Sequence, residues 1–176
     1  MTIQGRLGPI VLACDEAYAM PLATTIRSVV DAHPNQWPVG IYVLSGGISS
    51  ATRARVLHSL PPASATLHWI PIQLGSFFGL ETLSHVSPMT FARLRISEVL
   101  PRSVSRILYL DADVLVLNDL TPLWNTDLQG SAVGAVLDSL DVYLKRKLEI
   151  PPDFPRLDGA PRLRDYFNAG VLLIQV

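Results

Sequence analysis

Cysteine occurs once in this 176-residue chain, at Cys14, so no internal disulfide can form. That excludes a small disulfide-stapled scaffold and makes a reducing compartment, the cytoplasm, the expectation. An excess of basic charge is also missing, since fourteen Lys and Arg face fifteen Asp and Glu for a net charge of -1. No basic field draws such a chain to nucleic acid or acidic lipid, and no nucleic-acid partner is expected. Lysine itself is confined to Lys145 and Lys147. No apolar run approaches the roughly twenty residues that cross a bilayer. The opening "MTIQGRLGPIVLACDEAY" holds only a short one, from Pro9 to Cys14. The sequence predicts a soluble chain with no signal peptide and no transmembrane segment.

What the chain has instead is alternation. The run Ile10 to Ala13, closed by Asp15, predicts a strand buried on both faces with a polar loop at its carboxyl end. Leu22, Ile26, Val29 and Val30 then recur at helical spacing, with Pro21 suited to the first turn. The unit repeats as a strand over Val39 to Leu44, a loop with a capping serine, and a helix from Ala51 to Leu60 stopped by Pro61 and Pro62. Further strands are predicted over Leu67 to Ile72, Ile107 to Leu110 and residues 132–138, with a helix begun by Ser87 and Pro88 running to Leu100. Val142 to Glu149 reads as a helix and "IPPDFPRLDGAPR" as a proline-rich loop.

Such alternation predicts an α/β fold: a mainly parallel, Rossmann-like sheet with helices on both faces, whose ligands bind beyond the carboxyl ends of strands. The chain ends in the apolar run "FNAGVLLIQV" with no polar tail, which predicts the front part of a longer protein. A terminal strand pairing inside the sheet is the structural alternative.

Within "RILYLDADVLVLNDLTPLW", Asp111 and Asp113 stand one residue apart after the fourth predicted strand. In an extended segment alternate residues point the same way, so the two carboxylates can serve one ligand. Paired like charges repel unless a cation or proton sits between them. Hard oxygen donors favour magnesium, manganese or calcium, and magnesium or manganese on few carboxylates commonly holds a substrate's phosphates. In isolation Asp-X-Asp reads first as a turn and a solvated acid. The apolar strand before it, the run "VLVL" after it and Asp15 at another strand end favour a site.

Two enzyme classes use the pattern. Haloacid-dehalogenase-like phosphatases take the first Asp as nucleophile, near the domain start, with a later lysine for the phosphate. Nucleotide-sugar glycosyltransferases place the pair deep in a nucleotide-binding half, to hold manganese on the donor diphosphate. Three strands precede the one that leads into the pair, and both lysines share one amphipathic stretch, so the second class fits the order better.

The segments "VLACDEAYAMPLATTIRSVVDAHP", "IYVLSGGIS", "MTFARLRISEVLP", "ILYLDADVLVLNDLTPLWNTDL" and "DYFNAGVLLI" together resemble the retaining glycosyltransferases of family 8, which include bacterial lipopolysaccharide galactosyl- and glucosyltransferases and glycogenin-like enzymes. The resemblance covers nearly the whole chain. It implies a glycosyltransferase A-type fold and a nucleotide-sugar-binding domain over residues 1–176. The implied reaction moves galactose or glucose from a UDP-sugar to a hydroxyl acceptor, such as a lipopolysaccharide saccharide, with retention and with Mn2+ or Mg2+ as cofactor.

Position by position, Ala13, Asp15 and Tyr18 resemble the family's uridine pocket, Tyr18 stacking on the base and Asp15 accepting from uracil. Alone, Asp15 would read as a helix cap and Tyr18 equally well as a ring packed at the first helix. Arg93 matches an arginine that reaches the donor sugar or its phosphates, Asp111, Ala112 and Asp113 match the metal motif, and both aspartates are the implied ligands. His85 and Asp138 match the sugar or acceptor side of the cleft, and Asn168 and Ala169 a strand start beside the donor sugar.

The chain departs from the family at three points. Ala17 stands where relatives often have Asn, Phe91 replaces a common Tyr, and the family's third metal ligand, a histidine, belongs downstream of Val176 with much of the acceptor region. Any peripheral membrane contact is likewise expected from that downstream part. A chain of this extent without turnover, a UDP and metal-binding module, is therefore the competing expectation.

Overall fold

The computed structural model describes residues 6–73, 87–137 and 167–176. Six strands form one sheet in the order β3-β2-β1-β4-β6-β5. Strand β1 is Ile10–Asp15 and is followed by helix α1, Ala19–Ala32; β2 is Val39–Gly46 and is followed by α2, Ser50–His58. After β3, Ala65–Pro71, a 3-10 segment Pro88–Arg95 runs into a short α3, Ile96–Val99. Strand β4 is Arg106–Leu110, α4 is Thr121–Trp124, β5 is Val133–Leu137 and β6 is Phe167–Gln175.

Successive apolar residues of the central strands point to opposite faces, which builds a two-sided core. Ile10, Leu12 and Cys14 of β1, with Leu108 and Leu110 of β4, pack with Leu22, Ile26 and Val29 of α1 on one face. Val11 and Ala13, with Ile107 and Tyr109, pack with Met89, Ala92 and Ile96 on the other. Leu22, Ile26 and Val29 are fully buried, each contributing about 1.5–3 kcal/mol of apolar transfer. Ser49 caps α2 as its position suggests, its hydroxyl accepting from the Thr52 amide at 3.2 Å.

Pairings β1-β2, β2-β3 and β1-β4 are parallel, as expected; β4-β6 and β5-β6 are antiparallel. Chain order runs outward from β1 to β3 and then returns to β4 on the opposite side of β1. The sheet thus has its switch point between β1 and β4, where ligands of open α/β sheets bind. Because β6 runs against β4, the start of β6 lies at the carboxyl end of β4. The final apolar run is therefore an interior strand, between β4 and β5.

The stretch from Ser87 to Leu100 differs from the single helix expected, since most of it is 3-10. Side chains there compete for backbone groups: the Ser87 hydroxyl accepts from the Met89 amide, and Arg93 Nε donates to the Thr90 carbonyl at 2.8 Å. The predicted helix over Val142 to Glu149 and the proline-rich loop lie outside the described residues.

Candidate functional site

A cleft of about 290 Å3 opens at the switch point, beyond the carboxyl ends of β1 and β4. Of the residues singled out in the sequence, Ala13, Asp15, Tyr18, Arg93, Asp111, Ala112 and Asp113 line it. Asn168 and Ala169 sit beside it at the start of β6. His85 and Asp138 lie outside the described residues.

On the β1 side, Asp15 organises the loop that precedes α1. Its Oδ1 accepts from the amides of Ala17 and Tyr18 at 3.1 and 3.2 Å, and its Oδ2 from the Ser87 hydroxyl at 2.8 Å. The capping reading of Asp15 is thus visible in the geometry, and the same bonds hold Tyr18 at the mouth, 48% exposed as a residue. Glu16 fixes the loop from the other side by accepting from the Ser49 amide at 2.8 Å and the Thr52 hydroxyl at 2.6 Å. Those bonds, led by that from Thr52, hold its carboxyl below the usual range. Cys14 faces inward, and burial, then the charges of Asp15 and Glu16, push its thiol up to about 12. It is not a nucleophile at neutral pH.

On the β4 side, the strand ends at Leu110 and the chain turns, with the Val114 amide 3.4 Å from the Asp111 carbonyl. Asp111 and Asp113 therefore meet the cleft from a turn and not from an extended segment, which corrects the alternation argument while leaving both residues in the lining. Asp111 is anchored. Its amide donates to the Gly170 carbonyl at 2.8 Å, and its Oδ1 accepts from Arg93 at 2.9 Å and from the Tyr109 hydroxyl at 2.8 Å. Asp113 is exposed.

Arg93 links three elements. Besides Asp111 it binds the Thr90 carbonyl and hydroxyl and donates to the Ala169 carbonyl, and its guanidinium lies 4.8 Å from the centre of the Tyr109 ring. Its guanidinium is thus held inside the site, paired with Asp111, rather than solvated as that of a surface helix arginine would be. The segment that carries it can lie this close because Met89 packs directly over Gly46 of β2, where a Cβ would collide.

Three contributors escaped the sequence reading. Tyr109 is one, although strand alternation puts residues 109 and 111 on one side and could have flagged it. Its hydroxyl, pushed far up by burial and by Asp111, remains a proton donor. Ser87 is the cap that the sequence predicts, and it also bonds Asp15. Gly170 is the third: a Cβ there would lie 2.9 Å from Asp111 Oδ2 and 3.0 Å from Asn168 Oδ1.

The donor set suits a hard divalent cation, for two carboxylates come from one turn and one of them is exposed. No group of three or more His, Cys, Asp and Glu residues able to hold a metal occurs among the described residues. Such an ion would keep several positions for water or ligand oxygens, which manganese and magnesium tolerate.

An open α/β sheet with a carboxylate-lined cleft at its switch point defines an architecture that takes its ligand beyond the strand ends. The profile of glycosyl transferase family 8 matches residues 9–176, and the chain belongs to that family. Its fold matches that of the galactosyltransferase LgtC, crystallised with donor and acceptor sugar analogs, at a TM-score of 0.78 and 38% identity, covering 95% of this chain and 57% of that one. Glycosyltransferase GlyF of Streptococcus pneumoniae is 30% identical over 167 residues, covering 95% of this chain and 36% of GlyF. General stress protein A of Bacillus subtilis is 24% identical over 166 residues, 94% of this chain and 54% of that protein. The chain thus spans between about a third and about a half of the length of these relatives. The family assignment removes the phosphatase alternative. Among the described residues no helix is long and apolar enough to cross a membrane.

Proposed function

We propose that this chain is the donor-binding part of a retaining hexosyltransferase that moves galactose or glucose from a UDP-sugar to a saccharide hydroxyl, such as one of a lipopolysaccharide. The observation that carries this reading is the joint placement of Asp15 at the end of β1, Tyr18 just beyond it, and Asp111 and Asp113 after β4, at one switch-point cleft that Arg93 also lines. The likeness to the galactosyltransferase LgtC supports a galactosyl donor. The single, buried thiol suits a reducing cytoplasm.

Tyr18, half exposed at the mouth, offers a face on which uracil stacks, and Asp15 offers carboxylate acceptors for the base. Asp111 and Asp113 would hold manganese or magnesium, whose chemistry there is to offset the negative charge of the departing diphosphate. Arg93, already aimed into the cleft, supplies a fixed positive charge toward the same oxygens. Asn168, at the start of β6, has an amide that can donate to and accept from sugar hydroxyls. Here its Oδ1 accepts from the Gly170 amide at 2.8 Å. Among the described residues no side chain stands out as the base for the acceptor hydroxyl.

The test is UDP-dependent manganese binding, measured beside transfer and hydrolysis of UDP-galactose and UDP-glucose. Binding that Asp111→Asn and Asp113→Asn abolish supports the site, and sugar release or transfer supports the enzyme. A second reading is favoured by the share of each relative that the chain covers: a UDP and metal-binding module without turnover. Binding with no turnover selects that module. No binding by the wild-type chain rejects both.

A further inference from the structure

We infer that the Asp111 carboxylate is oriented as a metal ligand by two residues on opposite sides of it: the Tyr109 hydroxyl, which holds Oδ1, and Gly170, whose missing side chain leaves room for Oδ2. The inference rests on the reading of Asp111 as a metal ligand and adds the residues that position it.

Oδ1 accepts two donors, Tyr109 at 2.8 Å and Arg93 at 2.9 Å, whereas among the described residues no hydrogen-bond donor reaches Oδ2. A carboxylate with one oxygen doubly bonded in this way cannot exchange its two oxygens by rotation without losing both bonds. Oδ2 is then the oxygen with free lone pairs for an ion. On its side the Gly170 backbone approaches so closely that an added Cβ would stand 2.9 Å from Oδ2, closer than real Cβ contacts come. The Asp111 amide donates to the Gly170 carbonyl at 2.8 Å, so the approach is locked by backbone and not by side-chain chance.

Arg93 cannot do this alone. Its guanidinium also bonds Thr90 and the Ala169 carbonyl, and a donor phosphate would compete for it. Tyr109 has one polar atom, buried and committed to Oδ1, on a ring packed in the core between β4 and the 88–99 segment. It is a positioning residue, because it acts on the ion only through Asp111.

The experiment measures Mn2+ affinity of the 176-residue chain with saturating UDP, by electron paramagnetic resonance of free Mn2+, and UDP affinity without metal, for the wild type, Tyr109→Phe, Gly170→Ala and Asp111→Asn. Tyr109→Phe keeps the ring over which Arg93 lies, and Gly170→Ala leaves Tyr109 untouched. Loss of an outer partner of a metal ligand weakens binding by roughly 10- to 100-fold, and that loss is expected in both variants, with metal-free UDP affinity unchanged. A structural role alone would shift both affinities or neither. Either variant, folded and binding Mn2+ within about 2-fold of wild type while Asp111→Asn loses it, overturns the inference but leaves the metal site standing. If Asp111→Asn binds Mn2+ as wild type does, or if the wild type does not bind it, the reading of Asp111 as ligand fails and the inference goes with it.

Discussion

The Thr25 hydroxyl donates to the Ala112 carbonyl at 2.9 Å, across 87 residues of sequence. This bond fastens α1 to the turn that carries Asp111 and Asp113, at a position where Thr25 is 1% exposed. Beside it the Ser28 hydroxyl accepts from the Val116 amide at 3.0 Å, so one face of α1 holds both ends of the 112–116 segment. The shape of the aspartate turn is thus set partly by a helix whose sequence shows only an apolar stripe with two small hydroxyls in it.

Replacing Thr25 by Val keeps the volume and strands the Ala112 carbonyl. Destabilisation of about 1–3 kcal/mol is expected in urea unfolding, the cost of an unsatisfied buried acceptor. The same variant should bind Mn2+ more weakly in the presence of UDP. Unchanged stability would mean that water reaches the carbonyl.

Tyr18 is half exposed and poised over the cleft, and stacking on a base is worth about 1–3 kcal/mol by alanine substitution. Tyr18→Ala should therefore weaken UDP binding by roughly 10- to 100-fold in calorimetry. Tyr18→Phe should stay within about 3-fold, because the ring face and not the hydroxyl does the stacking. Equal losses in both would point to the hydroxyl instead.

Glu16 tests the loop by pH. Its bonds from Thr52 and Ser49 favour the carboxylate, so its folded pKa lies below the unfolded 4.5. The native state then binds the proton less readily. The stabilisation is present above the unfolded value and is lost as pH falls through the folded one. The stability gap between wild type and Glu16→Gln should be open at about pH 7 and close in acid. A gap constant down to about pH 3 would exclude the carboxylate as its source.

Cys14 gives the opposite sign. Its folded value of about 12 exceeds the unfolded 9.0, so the native state holds its proton, and the contribution to stability is intact below 9.0 and lost as pH rises toward 12. Thiol reagents at about pH 8 should leave the native chain unlabelled and react only after unfolding. Rapid labelling of the folded chain would place the thiol in an open conformation.

Much of the fold was legible in the chain because the central strands are buried on both sides. Ile10 to Ala13 and Ile107 to Leu110 are apolar without alternation, and only a sheet covered on both faces accepts that. The stripe of Leu22, Ile26, Val29 and Val30 appeared where the helix formed, and Asp15 and Asp113 stood at strand ends where the cleft opened. The 3-10 winding around Arg93 was not legible, since it follows from Arg93 and Ser87 bonding to backbone groups of their own segment. Nor was the turn at Asp111, whose form depends on α1.

The sequence by itself determined which residue types reach the switch point, because burial period and strand-end polarity are local properties written in neighbouring positions. Only the tertiary structure decided what each carboxylate oxygen touches. Arg93 and Gly170 come to Asp111 from the segment after β3 and from β6, which arrives beside β4 antiparallel. Those distances depend on sheet order and strand direction, which pair residues far apart along the chain and leave no periodic trace in it.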